Sequence, residues 1–187
     1  MLCTALFRGI AAMFIAAAPV AAALGADSGT SAAIEERADA LEPGQFVWDA
    51  DGAPQGPVQV VISLADQRAL VYRGGQLIGA STISSGREGY ESPIGRFQIL
   101  EKRRIHRSNR YNSAPMPFMQ RLNWYGVALH AGEIPGYPAS HGCIRLPRKF
   151  AKKLYGLTSH ATLVTVTDRP FRGAKAKSRR AKKQASA

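Results

Sequence analysis

Apolar and polar residues alternate along several short stretches of the chain. In Val58–Leu64 (VQVVISL), Val58, Val60, Ile62 and Leu64 share one face at a spacing of two, the repeat of a strand buried on one side. Asp66-Gln67 follows as a turn, then Ala69–Arg73 (ALVYR) and Gln76–Ser81 (QLIGAS) continue the pattern, with Thr82–Ser84 extending the last. The Gly74-Gly75 pair between them is a two-residue hairpin signal. Pro93-Ile94-Gly95 opens a further strand, Arg96–Glu101, in which Phe97 and Ile99 alternate with polar neighbours. Leu122–His130 (LNWYGVALH) and Thr162–Thr167 (TLVTVT) add two more. One stretch switches to the helical repeat: Phe150, Leu154 and Leu157 recur at i, i+4 and i+7. Lys149, Lys152 and Lys153 take its outer face, Pro147 suits its first position and Gly156 its end. Short strands, tight turns and a single late helix predict a mainly β fold, a sandwich or a barrel.

Two segments break the pattern. Residues 27–57 read as a linker, with a short helix at Ser31–Leu41 and then repeated Pro and Gly punctuation. Phe46, Val47 and Trp48 are the residues able to dock it on the domain. Residues 102–120 are irregular, and Pro115 and Pro117 argue against a helix interior or a central strand. A long irregular segment of this kind is often a binding loop. Met116, Phe118, Met119 and Trp124 are expected in the core more than in a cleft, and His106 reads as an exposed loop residue.

Charge adds a tail to this picture. The 187 residues carry 25 Lys and Arg against 13 Asp and Glu, a net charge of +12. Eight of the basic residues follow Asp168 with no acidic residue among them, so the rest carries only +4. Residues 169–187 read as a solvated basic tail with weak affinity for anionic lipids or wall polymers. Phe171 is its only aromatic residue, which argues against nucleic acid as the partner. At the other end, Arg8, the apolar run 9–18 and the small-residue run 20–26 have the form of a signal peptide, 1–26. The alternative is an uncleaved anchor, but Pro19 interrupts an apolar run that is short for a span. Export puts the protein in the periplasm and leaves one thiol, because Cys3 departs with the leader.

The remaining cysteine, Cys143, sits in Ser140-His141-Gly142-Cys143-Ile144-Arg145, with His130 thirteen positions upstream. A thiolate with a basic neighbour is a nucleophile. His141 and Cys143, two apart in extended chain, suit lining one pocket better than direct contact. His130 comes from another segment and is therefore assigned as general base, with His141 orienting substrate or stabilising the oxyanion. The N–H groups of Gly142 and Cys143 are the expected oxyanion donors. Arg145 binds a substrate carboxylate or pairs internally. No acidic residue is near enough in sequence to orient His130, which leaves a backbone carbonyl, such as that of Ala131 or Gly132.

The run LHAGEIPGYPASHGCIRLP closely resembles the signature of L,D-transpeptidases, in which an upstream histidine is followed by Ser/Thr-His-Gly-Cys-hydrophobic-Arg. Ser140, His141, Gly142, Cys143, Ile144 and Arg145 match it position by position, and His130 fills the upstream place. Ser92-Pro93-Ile94-Gly95-Arg96-Phe97 is similar to the family's Thr-Pro-x-Gly-x-Phe element. The likeness covers residues 58–168. It departs at Ala131, where Gly or Ser is usual, and in a rather short loop to Cys143. The resemblance implies a β-sandwich of short mixed strands with one helix after the cysteine, and no metal or cofactor. It also implies acyl transfer in cell-wall biogenesis: Cys143 attacks a peptidoglycan tetrapeptide stem, D-alanine leaves, and an amine, water or a D-amino acid resolves the thioester.

Rival readings are an L,D-carboxypeptidase or another exported cysteine hydrolase, a metal site built from His130, His141, Cys143 and His160, and a non-enzymatic wall-binding protein. A papain-like enzyme places its cysteine early and at the start of a long helix, unlike Cys143. The histidines and cysteine lack the paired spacing of a zinc site.

Overall fold

The computed structural model describes residues 28–160 and 162–171. The expected leader and most of the expected basic tail lie outside the described residues. Twelve elements follow in order: α1 (Ser28–Asp39), β1 (Phe46–Trp48), β2 (Val58–Ser63), β3 (Arg68–Arg73), β4 (Gln76–Thr82), β5 (Gly95–Gln98), β6 (Glu101–Arg103), β7 (Met119–Arg121), β8 (Ala128–Ala131), β9 (Ile144–Leu146), α2 (Arg148–Leu157) and β10 (Leu163–Thr167). A six-stranded sheet has the order β1-β4-β3-β2-β10-β5, and a four-stranded sheet has the order β6-β7-β8-β9. Both are mixed, because β10 runs parallel to β2 and β9 parallel to β8. The fold is the expected mainly β one.

Alternation builds the core. Val60 and Ile62 on β2, Val71 on β3 and Ile78 on β4 meet Leu129 on β8, Ile144 and Leu146 on β9 and Phe150 and Leu154 on α2 in one apolar cluster. The β3–β4 hairpin turns at Gly74-Gly75, both with positive φ, the geometry that the two-glycine signal demands.

Three expected elements differ in the structure. The strand expected at Arg96–Glu101 is two strands on different sheets. The chain crosses at Ile99 and Leu100, whose N–H groups donate to Thr162 O on one side and Arg121 O on the other. The strand expected at Leu122–His130 begins with a tight turn: Leu122 N donates to Val127 O, and Asn123 Oδ1 accepts from Val127 N at 3.0 Å. Only Ala128–Ala131 is extended there. The late helix runs through Gly156, and Pro147 is its N-cap rather than its first residue. Its end is fixed instead by Thr158, whose N–H and hydroxyl both bond Leu154 O, and by Lys102 Nζ donating to Tyr155 O and Thr158 O.

The segment expected as a linker is folded over its described residues. β1 pairs antiparallel with β4. Phe46 and Trp48 meet the Phe150 ring at 5.7 and 5.5 Å between centroids. On the opposite side Val47 packs with Ile34 and Ala38 of α1 and with Leu70, Leu77 and Ala80 of the sheet. Both faces of the large sheet are thus covered.

Candidate active site

The small sheet sets the geometry of the site. The parallel register pairs Leu129 with Ile144, His130 with Arg145 and Ala131 with Leu146. Leu129, Ala131, Ile144 and Leu146 turn into the core, so Ala128, His130, Cys143 and Arg145 turn outward to line a cleft of about 710 Å³. Two neighbouring parallel strands, rather than the loop between them, bring the histidine and the cysteine to one wall. Ser140 and His141 line the same cleft, whereas Gly142 is not among its lining residues.

Cys143 packs against Met116, Met119 and Ala128. This burial pushes its thiol above the ordinary thiol range, only partly offset by the Ala128 backbone and the charges of Arg145 and Arg121. The thiol donates to Gly126 O at 3.6 Å. His130 is also buried, and burial lowers its pKa to about 4. Its Nδ1 lies 2.9 Å from Ala131 O. A carbonyl oxygen only accepts, so Nδ1 carries the proton and Nε2 is the basic nitrogen. The orienting group is thus one of the carbonyls expected. Burial thus works against both the thiolate and the imidazolium at this wall.

The motif's other residues form a hydrogen-bonded frame. Ser140 Oγ donates to Cys143 O at 2.5 Å and accepts from Gly142 N at 3.1 Å. The Gly142 N–H is therefore engaged, which corrects its expected role as an oxyanion donor. Gly142 adopts φ +101°, and a Cβ there would meet nothing nearer than 3.7 Å. Backbone conformation, rather than close approach, requires the glycine. Gly142 O accepts from Ser92 Oγ at 2.9 Å, and Ser92 Oγ accepts from Gly86 N at 2.9 Å. The Ser92-Pro93 element thereby holds the cysteine loop from below.

His141 is stacked on Tyr111 at 4.3 Å and edge-on to Tyr90 at 4.8 Å. Its Nδ1 accepts from Arg87 Nη1 at 3.4 Å. Desolvation, then the charges of Arg87 and Arg145, lower its pKa. It is a wall residue held against two tyrosine rings.

The irregular segment forms a hairpin-like flap between β6 and β7, laced by Phe118 N to Arg104 O, Met116 N to His106 O and Ser108 N to Ala114 O. Its tip brings Asn109, Arg110 and Tyr111 over the cleft. Met116, Phe118 and Met119 are buried as expected, although Met116 and Met119 also line the cleft. Trp124 is 75% exposed at the rim, which corrects its expected place in the core. His106 is half-buried in the cleft wall rather than a free loop residue, and its charge bears on His130.

Arg110, Arg121, Arg145 and Arg148 line the cleft against one acid, Glu133. Arg121 is tied by Nε to Glu101 at 2.6 Å. The charge on this wall suits an anionic ligand. Sequence reading missed Tyr90, Tyr111, Arg121 and Tyr125, which carry no local motif and reach the site through the flap, the turns and, for Arg121, strand β7. His160 is exposed and is not among the lining residues.

Comparison with known proteins bears on the fold and the family. The family model for the YkuD L,D-transpeptidase catalytic domain matches residues 57–166. Among curated proteins nothing matches the chain. Among solved structures, an L,D-transpeptidase from Stackebrandtia nassauensis is similar at 26% identity and TM-score 0.57, over 73% of this chain and 66% of that one. One from Mycobacterium tuberculosis H37Rv is 26% identical with TM-score 0.54, over 59% and 57%. The M. tuberculosis L,D-transpeptidase 3 with a faropenem-derived adduct shares the fold at 23% identity and TM-score 0.54, over 59% and 60%. Each match spans less than two thirds of the other chain. With more than half its length matched by the family model, the chain belongs to the L,D-transpeptidase catalytic domain family.

Proposed function

We propose that the protein is a peptidoglycan L,D-transpeptidase with Cys143 as nucleophile and His130 as general base. The observation that carries the proposal is the presence in one cleft wall of a thiol and of an imidazole whose Nδ1–H is fixed on Ala131 O. As the thiol attacks the stem carbonyl, its proton passes to His130 Nε2 and the S–C bond forms. The oxyanion is met by the Cys143 N–H, since that of Gly142 is already bonded, and by the field of Arg145. His130 then gives the proton to the departing amine of D-alanine, leaving a thioester. An acceptor amine attacks the thioester, His130 takes its proton, and the amide product leaves with the thiol restored. Water in place of the amine gives the carboxypeptidase outcome.

The arginine-lined cleft supports an acidic stem peptide as substrate, bound through its carboxylates. The reading also places the protein outside the cytoplasmic membrane, where that polymer lies. No step in it calls on a metal or cofactor. The test is incubation with purified disaccharide-tetrapeptide, with mass spectrometry of the products and of the Cys143 peptide. Free D-alanine and a Cys143 thioester are expected, and the mass of the second product names the acceptor. Cys143→Ala should lose both signals while keeping the native circular dichroism spectrum. D-alanine release by that variant at the parent rate would overturn the assignment.

A further inference from the structure

Trp124 and Tyr125 are neighbours at the tip of the Leu122–Val127 turn, 75% and 80% exposed, and both line the mouth of the cleft. Two large exposed aromatic side chains on consecutive residues give the rim an apolar step. The step is fixed. Its turn is closed by Leu122 N to Val127 O and by Val127 N to Asn123 Oδ1, and Gly126 in the same turn holds the Cys143 thiol. The Arg121 guanidinium lies 6.0 Å from the Trp124 ring centroid and is itself tethered to Glu101.

We propose that Trp124 and Tyr125 form a saccharide platform that receives a sugar ring attached to the stem peptide. The inference rests on the reading of the substrate as a wall muropeptide and names a subsite for its glycan part. Four arginines line the cleft and suit the carboxylates of the peptide, while Trp124 and Tyr125, with Arg121 beside the Trp124 ring, add aromatic surface at its mouth. The flat C–H face of a pyranose matches such a surface, and its hydroxyls stay free for polar neighbours, as the mixed character of Trp and Tyr side chains favours. Reach agrees. From Trp124 Cα through Gly126 to the sulfur is about 14 Å at most, and three residues of extended stem between the attacked carbonyl and the sugar span about 10 Å.

Binding to the Cys143→Ala protein separates this subsite from the chemistry. Calorimetric titration should show disaccharide-tetrapeptide bound about tenfold more tightly than the free tetrapeptide, the order expected for one good ring stack. Trp124→Ala should bring the two ligands to the same affinity, and Trp124→Phe should restore most of the difference. Tyr137→Ala, an exposed aromatic that is not among the lining residues, should leave the difference intact. Equal affinity for both ligands before mutation, or an equal loss for both in Trp124→Ala, would overturn the platform. A difference that persists when the parent protein releases no D-alanine would overturn the proposed chemistry and leave the platform standing.

Discussion

At the scale of single residues, proton positions decide the chemistry. Burial raises the Cys143 thiol and lowers His130 to about 4, so in the proposed mechanism the nucleophile is armed during attack rather than stored as an ion pair. Alkylation of Cys143 by iodoacetamide should therefore be slow at pH 7 and keep rising beyond the ordinary thiol range near pH 8.5–9, about tenfold per unit. A rate already at its plateau by pH 6 would show a standing thiolate. His130 also links pH to stability. The unfolded histidine takes its proton near 6.5 and the folded one only near 4, so the unfolded state binds more protons between those values. Stability is full above 6.5 and falls as pH drops towards 4, by about 3 kcal/mol in all. Denaturant titrations across this window should show the loss, and His130→Gln should flatten it. The carbonyl partner of His130 was open to sequence reading because no acid lay nearby. The burial of the thiol was not, because Met116 reaches the sulfur from the flap and Met119 from β7.

Elements show a similar division between local and distant causes. The β2–β3–β4 meander was legible because alternation and a two-glycine turn are local signals. The corner at Ile99-Leu100 was not, because the change of sheet is dictated by Thr162 and Arg121, both far along the chain. Likewise the apolar run before His130 concealed a turn that Asn123 closes with its own side chain. The motif residues were visible, but their division of labour was not: Ser140 and Ser92 support the loop on which Cys143 stands. Ser92→Ala leaves Gly142 O and Gly86 N without their partner and should cost about 1–3 kcal/mol. Activity should fall further than that loss of stability explains, since the loop carrying the sulfur loses its support. Urea titration paired with D-alanine release measures both, and a variant with parent-like turnover would show that the clamp does not set the geometry of Cys143.

Across the whole molecule, the folded part begins before the strand meander. α1 and β1 complete a second apolar layer, with Ile34 2% exposed, and β1 covers the edge of β4 that would otherwise invite pairing with other chains. Ile34→Ala should lower stability by about 2–4 kcal/mol in denaturant while the Cys143 thioester still forms. A change below 0.5 kcal/mol would mean that the layer contributes little. The short helix and the docking residues Phe46, Val47 and Trp48 were legible, but Pro and Gly punctuation masked the three-residue strand that ties them to β4. The opposite arrangement holds at the flap. β6 and β7 are paired directly, Glu101 with Arg121 and Arg103 with Met119, so residues 104–118 leave and rejoin the small sheet at one place. The register that fixes His130 beside Arg145 does not pass through them. Met116 packs on Cys143 and Pro117 O accepts from Ala131 N, so an excursion of another length or tip that keeps those two contacts can hang on the same two anchor strands, and an engineer can vary its tip to change which ligands enter the cleft.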